Sequence, residues 1–303
     1  MSLPGKLKFP LYLLGLLTVI NAGFFLRKDF FEYKPYAEES VLYAPASGNW
    51  NRYFTDFPLE GRAQAKGFID SILKGSDTAT LAQIKQIGSF LYNQFGKQLG
   101  KPVLNDQLQD PWDIYRFFSA DSSRKLWCGH LSMMFNYFCL ARGIETRMIE
   151  IMKPGDHHVV NECYVPAIQQ WVLVDITYNQ LLVSEENGMP IGLTAFRRLQ
   201  GRPVNLQVQA ANDSGRDLRP DTGYVRNYYS GNDPAYYYCT INPKVVYRTT
   251  EKIRRYFLPG SWYRILATEP ASNFPFYLKQ ALALAWLLSL IYLLYSWIKL
   301  KRK

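Results

Sequence analysis

The spacing of apolar and polar positions changes along the 303-residue chain, and each change marks an element. Two stretches are apolar almost throughout and uncharged: FPLYLLGLLTVINAGFFL (9–26) and QALALAWLLSLIYLLYSWI (280–298). As helices their 18 and 19 residues would run about 27–28 Å, close to the hydrocarbon thickness of a bilayer. Between them the pattern becomes amphipathic. EGRAQAKGFIDSILKG places Ala65, Phe68, Ile69 and Ile72 on one helical face and stops at Gly75. A second helix follows, capped by Asp77 or Thr78, with Leu81, Ile84, Ile87, Leu91 and Phe95 as its buried stripe. Asp110 or Pro111 opens a short helix, PWDIYRFFS. From Leu131, the positions Met134, Phe135, Phe138 and Leu140 predict a buried helix ending at Gly143, with Cys128 in its first turn.

The period then shortens to two. ETRMIEIM, HHVVNECYV and QWVLVDIT read as strands, the last two as an antiparallel hairpin across Pro166–Gln169. Helical and strand patterns are segregated, which predicts an α+β domain with an antiparallel sheet. Beyond Asp175 the signal fades. Leu193–Leu199 suits a helix, and 201–222 reads as a long loop. Residues 223–247 are dense in tyrosine, including Tyr224, Tyr228, Tyr229, Tyr236, Tyr237, Tyr238 and Tyr247. Such rings can build a ligand surface, but a strand and loop packed on the sheet edge fits their β preference better. The expected division is an N-terminal anchor (1–28), a stalk and leading helix (29–75), the α+β domain (76–265) and a C-terminal span with a basic tail (275–303).

Net charge is +10, which could indicate a nucleic-acid binder. Its distribution argues otherwise. Lys6, Lys8, Arg27 and Lys28 give the first 28 residues +4, and Lys279, Lys299, Lys301, Arg302 and Lys303 give the last 25 residues +5. That leaves +1 for 29–278 (10 − 4 − 5), with no basic footprint for nucleic acid. Basic flanks suit membrane spans instead. A cleaved signal sequence would also start with Lys6 and Lys8, but Ile20-Asn21-Ala22 puts a large residue where cleavage prefers a small one. The dense C-terminal cluster places that end in the cytoplasm. Two spans then put both termini in the cytoplasm and the middle outside it.

Cys128, Cys139, Cys163 and Cys239 form no CxxC and no metal-ligand spacing, and no phosphate loop, calcium motif or other cofactor signature is readable. A pair among Cys139, Cys163 and Cys239 could oxidise outside the cytoplasm. Cys128 is different, because it opens a helix, where an anion is favoured. A nearby histidine could share its proton and a carboxylate could orient that histidine. His130, two residues on, lies on another helix face. His157 and His158 fall on opposite faces of their strand, and alternation does not choose between them.

The ordered motifs resemble the transglutaminase-like superfamily of papain-type cysteine enzymes, in particular membrane-anchored bacterial members. They are Cys128 opening a helix, Gly143-Ile144-Glu145-Thr146-Arg147, His158 through Asn161-Glu162, and Trp171 through Asp175. The resemblance covers roughly residues 80–180. It implies a papain/transglutaminase-like core, in which a cysteine-bearing helix packs on an antiparallel sheet carrying histidine and aspartate. It also implies the triad Cys128, His158 and Asp175, with Asn161 and Glu162 as supporting residues. Trp127, Trp112 or the backbone N–H groups at Cys128 become candidates for an oxyanion hole. The implied reaction is acyl transfer from peptide or protein amides at the cell envelope, to water or to an amine, with hydrolysis favoured. A non-catalytic binding or assembly module on the same fold is the rival expectation.

Overall fold

The computed structural model describes residues 5–26, 59–102, 110–153, 155–184, 188–198, 206–210, 228–229, 235–238, 257, 264–266 and 272–301. The expected stalk over 29–58, Tyr224, Tyr247 and Cys239 lie outside the described residues. The helices are α1 (Gly5–Leu26), α2 (Leu59–Ile72), α3 (Thr80–Phe95), α4 (Pro111–Ser119), α5 (Cys128–Arg142), α6 (Leu193–Arg198) and α7 (Phe274–Lys301). The strands are β1 (Thr146–Lys153), β2 (Asp156–Val165), β3 (Gln170–Asp175), β4 (Gln180–Ser184), β5 (Leu206–Ala210), β6 (Ala235–Tyr238) and β7 (Arg264–Leu266). By contacts the chain forms two units: 1–35 with 248–261 and 270–303, and 36–247 with 262–269.

In the first unit α1 and α7 are both long and apolar enough to cross a membrane. Leu284, Leu288, Ile291, Tyr292 and Tyr295 of α7 face outward, as do Tyr12, Leu16 and Val19 of α1. A core helix of a water-soluble domain would bury such side chains. The Trp286 indole N–H donates to Thr18 Oγ1 at 2.8 Å, a polar tie between helices of the kind used where water offers no alternative partner.

In the second unit the sheet order is β5-β4-β3-β2-β1-β6-β7, and its strand pairings are antiparallel. The β2–β3 hairpin turns through Pro166–Ile168 with Val165 opposite Gln170, and Gln169 takes the left-handed conformation at φ 53°. Side chains alternate between two hydrophobic layers. Met148, Cys163, Val172 and Val174 join α2–α5 on one face, with Ala65, Ile69, Ile84, Ile87, Leu91, Phe95, Met134, Phe135 and Phe138. Ile149, Ile151, Val160, Trp171 and Leu173 meet Leu193, Phe196, Tyr228, Tyr229 and Tyr237 on the other. Each fully buried Leu, Ile or Phe contributes about 1.5–3 kcal/mol, which outweighs the weak propensity of a nine-residue helix such as α4.

Several local details differ from the pattern-based reading. The N-cap of α3 is Ala79, and Asp77 instead accepts the Ala79 N–H at 2.9 Å in the turn before it. Asp110 does cap α4, accepting the Trp112 N–H at 2.8 Å. The stretch read as a long loop contains β5, which pairs with β4 from Gln180–Ala210 to Ser184–Leu206. Both strands are short and lie beyond the clearly alternating segment, so backbone pairing with a neighbour defines them.

Candidate active site

Helix α5 presents Cys128 at its first position. Trp127 precedes it in an extended conformation (φ −97°, ψ 166°), so the chain enters the helix abruptly and the first backbone N–H groups lie around the cysteine. The Trp127 N–H donates to His130 Nδ1 at 3.1 Å. Burial lowers the pKa of His130, which suits this acceptor role, and its ring meets Phe118 edge-on at 5.3 Å. His130 therefore serves the helix start. Cys128 is half-buried, whereas Cys139 and Cys163 are buried free thiols within hydrogen-bonding reach of each other. Burial first, and then the neighbouring Cys163, push the Cys139 thiol well up.

Helix α5 packs on the first face of the sheet, but His158 and Asp175 belong to the second. His158 pairs with Ile151 and lies in phase with Val160 and Glu162; Asp175 lies in phase with Trp171 and Leu173. The β2–β3 ladder runs from Val165–Gln170 to Asn161–Val174. Beyond it β2 continues against β1 and Asp175 pairs with Gln180 of β4, so the two strands separate. His158 and Asp175 flank this fork, and Cys128 lies near enough to His158 to help hold its proton.

His158 Nε2 lies 2.8 Å from Asp175 Oδ2, which leaves Nδ1 for the cysteine. Both side chains are buried. Burial lowers the imidazole pKa, but the Asp175 charge and hydrogen bond, aided by Cys128, outweigh it and push His158 up to about 10. Asp175 Oδ1 accepts the Thr177 N–H at 2.9 Å, and Tyr229 O–H donates to Oδ2.

Two further bonds tie the cysteine helix to the histidine strand. Ser132 Oγ, one turn after Cys128, donates to the Val159 carbonyl at 2.8 Å. Asn161 Nδ2 donates to the Ser132 carbonyl at 3.1 Å. Asn161 thus sets the spacing between α5 and β2. Glu162 is fully buried elsewhere on the second face: its Oε2 accepts from Arg147 Nε at 2.8 Å and from Nη2, and its Oε1 accepts the Leu193 N–H at 2.6 Å. The Arg147 guanidinium lies between the rings of Trp171 (4.0 Å) and Tyr237 (4.4 Å). Three motif residues outside the predicted triad therefore build one ionic pillar.

The tryptophans separate. Trp127 is about half exposed beside Cys128. Trp112 gives its indole N–H to Gln64 Oε1 at 2.9 Å and stacks on Tyr115 at 5.3 Å, next to Phe68 and Phe138. Its polar atom is thus occupied within the helical layer, because its helix turns that edge towards α2. Tyr178 and Tyr228 flank the imidazole and Tyr229 bonds Asp175, none of them among the site residues expected from the motifs. Tyr228 meets His158 edge-on at 5.4 Å and Tyr178 lies at 5.7 Å. The tyrosine density of 223–247 was the visible signal, but no local period ties it to a histidine 70 residues away.

No family profile and no curated protein matches the chain. A proposed cysteine protease from Cytophaga hutchinsonii is a structural match at 16% identity, covering 48% of this chain and 46% of that one, with a TM-score of 0.33. The chain thus spans less than half of that protein, and a likeness this low carries no argument about fold or activity.

Proposed function

We propose that the chain is a membrane-anchored thiol enzyme of the transglutaminase-like type, acting on amide bonds of peptides or proteins at the cell envelope. One observation carries this reading: a buried His158 bonded through Nε2 to Asp175, with its other nitrogen available to Cys128 at a helix start. His158 holds the shared proton as imidazolium, and Cys128 Sγ attacks the carbonyl carbon as the thiolate paired with it. Backbone N–H groups at the start of α5 receive the developing oxyanion, with Trp127 alongside. Collapse breaks the C–N bond, and His158 returns the proton to the leaving amine. Water, deprotonated by His158, then cleaves the thioester and frees the acid and the thiol. Outward-facing side chains on α1 and α7 support two membrane spans, and the basic end after α7 favours an extracytoplasmic domain.

The test is alkylation of Cys128 by iodoacetamide across a pH series, for the wild type and His158→Ala. An activated thiol reacts at mildly acidic pH and loses that reactivity in the variant. If wild type and variant share the profile of an ordinary thiol, the chain is a binding module rather than an enzyme.

A further inference from the structure

We propose that Tyr229 is a positioning residue for this site, fixing the Asp175 carboxylate so that His158 stays aimed at Cys128. The proposal rests on the thiol-enzyme reading above. Asp175 ends its strand at the fork where β2 and β3 separate, so β2 does not hold it on that side. Its three donors come from different places. Thr177, two residues on, supplies a backbone N–H to Oδ1, and His158 supplies Nε2–H to Oδ2. Tyr229 supplies O–H to the same Oδ2 across a sequence separation of 54 residues.

The tyrosine is itself anchored. It is buried, its ring meets Tyr228 edge-on at 6.1 Å, and its carbonyl accepts from Arg197 Nε at 3.3 Å. A phenol on a rigid ring donates a hydrogen bond without admitting water to the carboxylate. Without that hydroxyl the carboxylate can rotate or take up water, and the imidazole loses its fixed orientation.

The groups facing His158 are Asp175 from β3, Cys128 from α5, Tyr178 after β3, and Tyr228. Tyr228 in turn bonds Asp156 Oδ2 at 3.1 Å and has the Lys153 ammonium 4.7 Å above its ring. Tyr229 stands outside this group, and its hydroxyl bonds the carboxylate itself. It acts through Asp175, without touching the reacting atoms.

The experiment is the pH dependence of Cys128 alkylation in the full-length chain, which needs no substrate. Tyr229→Phe keeps the ring and removes one oxygen. Its alkylation midpoint should rise by about one pH unit, slowing reaction about ten-fold at pH values below the wild-type midpoint. Tyr238→Phe removes a phenol bonded to Glu150 Oε2 at 2.7 Å and should leave the midpoint in place. Asp175→Asn should move it in the same direction, and adding Tyr229→Phe to Asp175→Asn should move it no further. An unmoved or lowered midpoint in Tyr229→Phe, or additive shifts in the double variant, overturns the proposal. If the wild-type thiol is already unactivated, the enzyme reading fails and the Tyr229 role falls with it. An activated wild type with a silent Tyr229→Phe refutes the tyrosine role alone.

Discussion

Two buried acid–base pairs lie on the same face of the sheet and do different work. Arg147 and Glu162 sit opposite each other in the β1–β2 ladder, closed in by Trp171, Tyr237 and the Leu193 backbone. His158 and Asp175 sit at the fork between β2 and β3, in reach of a half-buried thiol. Arg147 donates to Glu162 from Nε and Nη2, and Glu162 has donors on both oxygens, so that pair is a fixed post. Burial and the nearby Glu162 also keep the Tyr237 phenol protonated. His158 has a proton it can give up. The sealed pair holds the sheet, and proton transfer at the fork belongs to the function proposed above.

The largest effect should come from breaking the sealed pair. Arg147→Met strands the Glu162 charge and should cost about 3–5 kcal/mol in urea unfolding, whereas Arg147→Met with Glu162→Leu should recover part of that loss. Remaining folded protein should keep wild-type Cys128 alkylation. A loss of alkylation without a loss of stability would erase the distinction between the pairs.

The pair at the fork should respond to pH. The pKa of His158 is about 10 in the folded protein against an ordinary 6.5, so its protonated form is bound more tightly when folded. That stabilisation, on the order of a few kcal/mol, is complete below about pH 6.5 and fades as pH rises through about 10. Unfolding midpoints across this window should fall in the wild type and flatten in His158→Gln.

Gly192 tests how tightly the sealed pair is enclosed. A Cβ there would lie 2.8 Å from Glu162 Oε1 and 2.9 Å from the Trp171 carbonyl, so Gly192→Ala should destabilise by about 1–3 kcal/mol in thermal unfolding. The smallest effect belongs to Ser132→Ala, which removes its side-chain bond to the Val159 carbonyl. It should cost about 1 kcal/mol and slow Cys128 alkylation, because α5 is then held less firmly to β2. Unchanged alkylation kinetics would show that this bond serves stability alone.

Much of the fold was legible from local patterns. The helical stripes of α3 and α5, the alternation of β1–β3 and the two apolar ends are repeated signals over many residues, and burial of one face enforces them. The ordered motifs singled out the cysteine, histidine and aspartate, with Glu162 expected as a support and Arg147 and Trp171 present in the same motifs without a role. The short strands β4 and β5 were not, since backbone pairing rather than side-chain period defines them. Tyr229 was equally hidden, because a hydroxyl meeting a carboxylate 54 residues away in sequence leaves no mark on local spacing.

The sequence by itself determined the segregated α+β pattern, the uncharged terminal helices with basic flanks, and Cys128 at a helix start. These follow from periodicity and charge, which act over one or two turns or a few strand residues. The choice of the His158 nitrogen that faces Asp175, the meeting of two sheet faces at the fork and the capture of Asp175 by Tyr229 were decided only by tertiary structure. They depend on where separate strands diverge, and that is set by packing of the whole sheet between its two hydrophobic layers.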